Sequence, residues 1–229
     1  MVEPVMSDTS MPQTADSVLD FWFGSAPATA SSLKASMKRW YAGGAALDTE
    51  IATRFGDMIA AAVASRLGDW AGSARGRLAL ILLLDQFPRS VYRGTARAFA
   101  SDPAALSLTL GGIESGQDRT LDFLERLFFY MPMQHAESLE VQQRSVAVFA
   151  ALAEEPAPAF VRDALAASAD YARQHRDIIA RFGRFPHRNG ILGRTSTPEE
   201  IAYLEGGAPT FGQSTASIGT STAGDDRNA

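Results

Sequence analysis

The chain contains three histidines, all in its second half and all inside short polar motifs: YMPMQHAES from Tyr130, YARQHRDII from Tyr171 and RFGRFPHRN from Arg181. Imidazole gains or loses a proton near neutral pH, and guanidinium grips carboxylates and phosphates. Arg173, Arg176, Arg181, Arg184 and Arg188 accompany the last two motifs. Such groups resist burial unless paired, so their concentration beside aromatic residues points to a partly enclosed polar site. From residue 173 to 194 six arginines face the single acid Asp177. That excess suits an anion or phosphate, or else acids elsewhere in the fold.

Each motif has a ligand reading and a structural one. His135 and Glu137 are two residues apart, which on a helix turns their side chains about 200° from one another. They could line one cavity only near a helix start, and Pro132 and Met133 predict such a start just ahead of them. Tyr171 and His175 are neighbours at i,i+4 spacing, so His175 is either a satisfied core residue or a ligand group. FGRFPHRN should be an ordered loop presenting His187, Arg188 and Asn189, with Arg184 and Arg188 either clamping an anion or tying the loop to buried acids such as Asp85. Asp85, Gln86, Arg89 and Arg93 follow the apolar run Leu78 to Leu84 and need solvent or a partner.

The candidate ligand-binding set is therefore Asp85, Arg89, His135, Glu137, His175, His187 and Arg188, with His135 and His187 as the acid–base candidates. No His pair has the spacing of a metal site on one helical turn, so neither metal nor cofactor is expected. Phosphate-loop, dinucleotide and Gly-x-Ser-x-Gly patterns are absent, and His175-Arg176-Asp177 lies inside a periodic helix without the other kinase motifs. Phe21, Trp22, Phe23, Trp40 and Tyr41 are expected to pack the first helices together.

About eight helical segments must position these groups. Asp16 or Ser17 can cap the first, ending at Gly24, and Ser31 or Ser32 the second, ending before Gly43-Gly44. Asp48 opens a third with an apolar stripe of Ile51, Phe55, Met58, Ile59 and Val63. A fourth spans about 73–87, Asp102-Pro103 starts one that Gly111-Gly112 weakens or ends, and Asp118 precedes another. A long helix follows Pro132 to Glu154, the next runs from Ala159 to Phe182 with Gly183 as left-handed cap, and Thr197-Pro198-Glu199-Glu200 opens the last. No β-hairpin signal competes, so the chain reads as all-α.

The 229 residues, 46% of them hydrophobic, suffice for one sizeable core. Residues 1–14 and 213–229 read as disordered tails around a helical domain at 15–212. The absence of cysteine excludes disulfides and thiolate chemistry and fits a cytoplasmic protein. No secretory signal or membrane span is apparent, because the longest apolar run is far shorter than the about 20 residues a spanning helix needs. A net charge of −5 gives no general attraction for nucleic acid.

Five strings together resemble one family: VLDFWFG from Val18, LLLDQFPRS from Leu82, YMPMQHAES, YARQHRDIIARFGRFPHRN, and ILGRTSTPEE from Ile191. The resemblance is to the bacterial family called domain of unknown function 924, over about Val18 to Gly212. It implies a single all-helical domain of antiparallel helix pairs in an irregular tetratricopeptide-like stack, and no established activity. Ser90 stands where that family usually has asparagine and Ala136 where it usually has serine, so no nucleophilic serine is available at 136. Two functions follow as expectations: a pocket for a small anionic molecule, with acid–base chemistry open to it, or a non-catalytic module binding a peptide or partner. A closed cavity lined by histidine and arginine would favour the first, an exposed apolar groove the second.

Overall fold

The computed structural model describes residues 14–209 and 211, and the tails expected at 1–14 and 213–229 lie almost wholly outside them. The described residues form ten α-helices joined by short turns, with no strand among them. They are α1 (Ala15–Phe23), α2 (Ala30–Ala42), α3 (Gly44–Val63), α4 (Ala74–Ile81), α5 (Phe87–Val91), α6 (Asp102–Glu114), α7 (Phe123–Gln134), α8 (Leu139–Glu154), α9 (Ala159–Phe182) and α10 (Pro198–Glu205). The all-α expectation holds. No described helix is long and apolar enough to cross a membrane.

The axis of the core is the helix that α4 and α5 form together, joined by a π-helical turn at Leu82–Gln86. The apolar run Leu78–Leu84 is buried on every side because α1, α3, α6 and α7 surround this axis. Pro88 lacks the N–H that would serve the Leu84 carbonyl, and the Ser101 hydroxyl donates to that carbonyl at 2.6 Å instead. The wide turn places Asp85, a carboxylate, inside an otherwise apolar helix with no exposed surface. π turns recur at functional sites.

Several boundaries differ from the sequence expectations for identifiable reasons. Thr14 and Thr29, not Asp16 or Ser31, cap α1 and α2, because each forms a reciprocal capping box with a serine three residues on. Asp122, not Asp118, caps α7, while Asp118 is buried and accepts from the Tyr130 hydroxyl. Pro132 lies within α7 rather than opening the next helix, so His135 is the C-cap of α7 and Ser138 caps α8, which starts at Leu139. Gln142 of α8 donates to the Gln134 and Ala136 carbonyls at 2.7 and 2.8 Å, supplying partners that the end of α7 lacks.

Gly111-Gly112 does not end α6, which continues to Glu114. A Cβ on Gly112 would meet the Phe129 ring at 2.3 Å, so this glycine permits the close approach of α6 and α7. A Cβ on Gly111 would make only an ordinary 3.5 Å contact with Arg77. Gly112→Ala is expected to destabilise by about 1–3 kcal/mol through overpacking, whereas Gly111→Ala should be neutral or stabilising by up to about 1 kcal/mol. Equal urea midpoints for the two variants would contradict this packing account.

Candidate functional site

A cavity of about 600 Å³ opens between α2, α5, the C-terminal end of α7, α9 and the Phe185–Arg194 loop. Arg89, His135, His175, His187 and Arg188 line it, so five sequence candidates from four separate segments converge. Asp85 and Glu137 are not among the lining residues, and each stands behind the wall as an anchor.

Asp85 accepts from His135 Nδ1 at 2.8 Å, pairs with Arg89 at 3.2 Å and accepts from the Gln86 amide. Burial opposes its ionisation, but the neighbouring Arg89 and His135, helped by the hydrogen bonds, outweigh burial and hold its carboxyl well below the usual range. An ionised carboxylate can only accept, so His135 carries its proton on Nδ1 and leaves the Nε2 lone pair available. Burial, then Arg89, lowers the pKa of His135 despite Asp85, and the imidazole is neutral at pH 7.

His175 is fixed in a similar way, its Nδ1 donating to the Tyr171 carbonyl one turn back on α9 at 2.7 Å. A carbonyl cannot donate, so again Nε2 is the acceptor. The His135 and His175 rings lie 6.2 Å apart. Phe211 stacks on His175 at 3.9 Å, and His187 sits between Phe185 and Phe211. Burial is the first cause that lowers both His175 and His187 to about 3, with His135 next for the former and Arg188 for the latter. No described residue hydrogen-bonds to the His187 ring.

Arg188 bridges two parts of the site, donating to the His135 carbonyl at 3.1 Å and approaching Asp102 at 3.4 Å. The carbonyl end of α7 is where a cation is favoured. Asp102 also accepts from Arg89 at 2.9 Å, so one carboxylate serves two guanidinium groups. The guanidinium of Arg188 lies over Phe99 and Phe185, 4.7 and 4.5 Å from their centroids. Burial above all, then Arg89, brings the Arg188 pKa down to about 10, so it remains charged at neutral pH.

The loop that presents His187 and Arg188 is held from beneath. Glu137 accepts the Phe185 N–H at 2.8 Å and a bidentate pair from Arg194 at 2.6 and 3.0 Å. Arg184 grips Glu200 at 2.7 and 2.8 Å, and Asn189 donates to Glu200 at 3.2 Å. Arg184 and Arg188 are therefore both tied to acids, one of the two alternatives read from the sequence, but to Glu200 and Asp102 respectively rather than to the example Asp85. Asp102 was legible only as a helix-start residue, and Phe211 had no motif around it. Among the described residues no group of three histidines, aspartates or glutamates is placed to hold a metal ion.

Four members of the first aromatic cluster, Phe21, Trp22, Phe23 and Trp40, pack with Phe87 and Phe128 as expected. Tyr41 does not join them and is 60% exposed at the cavity.

Fold and site together define an all-α protein whose helices enclose a cavity lined by histidine and arginine. The chain belongs to the family described as bacterial protein of unknown function (DUF924), whose model matches residues 18–208. It is similar to a solved structure, the protein of unknown function ATU0120 from Agrobacterium tumefaciens, at 40% identity and a TM-score of 0.71, covering 84% of this chain and 97% of that one. No curated protein matches it.

Proposed function

We propose that the cavity binds a small anionic molecule and that His135 exchanges a proton with it. The observation that carries this reading is the Asp85–His135 pair: a buried carboxylate fixes the tautomer of a neutral imidazole at the wall of a cavity that also holds Arg89 and Arg188. Orientation of a histidine by a carboxylate is the arrangement used to make imidazole a proton acceptor, and guanidinium groups supply the charge complementary to an anion. The reading as a tetratricopeptide-like interaction module needs an exposed apolar groove. The large exposed hydrophobics among the described residues are Tyr41, Val63, Leu139 and Tyr171, on different helices, and two of them line the cavity itself.

His187→Phe tests the site without emptying it. The phenyl ring keeps the packing against Phe185 and Phe211 but removes both ring nitrogens. Calorimetric titration of wild type with inorganic phosphate and with acetate is expected to show saturable binding of at least one. The variant should lose most of that affinity while its unfolding free energy stays within about 1 kcal/mol of wild type. Absence of binding by either anion to the wild type, or undiminished binding by the variant, would count against the reading.

A further inference from the structure

The cavity is chemically two-ended. Arg89, Arg188 and the three histidines form its polar part, whereas Trp22, Trp40, Tyr41 and Tyr171 contribute aromatic surface. Trp22 and Trp40 already have ring neighbours, lying 6.3 Å from one another and packing on Phe128 at 5.5 and 4.7 Å. Phe99 is covered by Arg188, and Phe211 by His175. Tyr41 and Tyr171 are the aromatic residues lining the cavity that touch no other described ring or cation.

These two tyrosines come from different helices, Tyr41 from the last turn of α2 and Tyr171 from the middle of α9, and α2 packs against α9. They remain 60% and 46% exposed. Single exposed apolar residues are ordinary on protein surfaces, but two unfilled aromatic faces at one cavity are a place where a flat group gains contact without displacing a protein neighbour. Surrounding protein, and then the Tyr171 phenol, raises the Tyr41 hydroxyl to about 12.

On the reading given above, we propose that the anionic ligand of this cavity also carries a planar aromatic group, seated between Tyr41 and Tyr171, with its anionic group directed inward to Arg89 and Arg188. The preferred ligand class is thus an aryl carboxylate or an aryl phosphate, with free inorganic anions and aliphatic acids as weaker occupants of the anionic end. Neither tyrosine hydroxyl makes a hydrogen bond within the described structure, so the rings rather than the phenols carry the recognition.

The test uses the full chain and paired probes: phenyl phosphate against ethyl phosphate, and benzoate against acetate, each titrated calorimetrically. In at least one pair the aromatic member is expected to bind about tenfold tighter, the scale of one or two good aromatic contacts. The variant Tyr41→Ala/Tyr171→Ala should abolish that margin while leaving ethyl phosphate and acetate affinities unchanged. Its exposed positions make the change compatible with folding, and Tyr41→Phe/Tyr171→Phe should retain the margin. Equal affinities within both pairs would overturn the aromatic inference and leave anion binding intact. A margin that persists in the double alanine variant would also overturn it, by placing the aromatic group elsewhere. Failure of all four probes to bind would remove anion binding and this inference with it.

Discussion

Asp85→Ala is expected to destabilise the fold by about 3–5 kcal/mol, the cost of removing one partner from a buried ion pair. The carboxylate has no exposed surface and serves His135, Arg89 and Gln86 at once. Its loss strands the His135 N–H and leaves Arg89 with Asp102 and the Asp85 carbonyl alone. Asp85→Asn keeps an acceptor of the same shape for His135 and should cost less, about 1–3 kcal/mol. The two variants therefore separate the charge from the hydrogen bond. Chemical denaturation of both at pH 7 checks this, and an alanine variant within 1 kcal/mol of wild type would mean that Asp85 is not the anchor described here.

The second large effect is acid sensitivity. His175 and His187 are neutral in the folded protein down to about pH 3, whereas in an unfolded chain each titrates near about 6.5. Between these values the unfolded chain takes up protons that the folded one refuses. Their contribution is complete above about pH 6.5 and is lost as pH falls toward 3, at up to about 1.4 kcal/mol per pH unit for each histidine. His135, lowered as well, acts in the same direction. The urea midpoint should begin to decline just below pH 6.5, before ordinary carboxylates titrate, and a flat profile from pH 7 to 5 would refute buried neutral histidines. A bound anion would favour the protonated imidazoles, so inorganic phosphate should move the decline to lower pH, to a degree set by its affinity.

Much of the scaffold was legible because helix periodicity and caps are local signals. The Ala159–Phe182 helix, the left-handed Gly183 and the capping box at Thr197 follow from a few adjacent residues each. The convergence of Arg89, His135, His175, His187 and Arg188 was legible as a shared chemistry rather than as a geometry, since nothing in spacing says which loop meets which helix. What failed was non-local. Pro132 reads as a helix start, yet α7 runs through it because packing on all sides and the cap at Asp122 outweigh one missing donor. Gly111-Gly112 reads as weakening or ending its helix, whereas Gly112 makes room for the Phe129 ring of another helix. Asp102 looks satisfied as a helix-start residue, and only the folded chain brings Arg89 and Arg188 to it.

The π-helical turn at Leu82–Gln86 holds one residue more than an ordinary helix would need over the same length. Removing a single residue there would let the chain close into a regular helix with its two flanks still nearly in phase, while residues inside the turn, Asp85 among them, would shift by up to about 100° about the axis relative to those flanks. Asp85 and Arg89 would then no longer address His135 and Asp102 together. Selection for helix regularity alone would therefore delete the extra residue, and selection for the cavity would keep it. That conflict makes this one turn a place where length variation among homologous chains should be nearly forbidden, even where the surrounding apolar side chains exchange for others of similar volume.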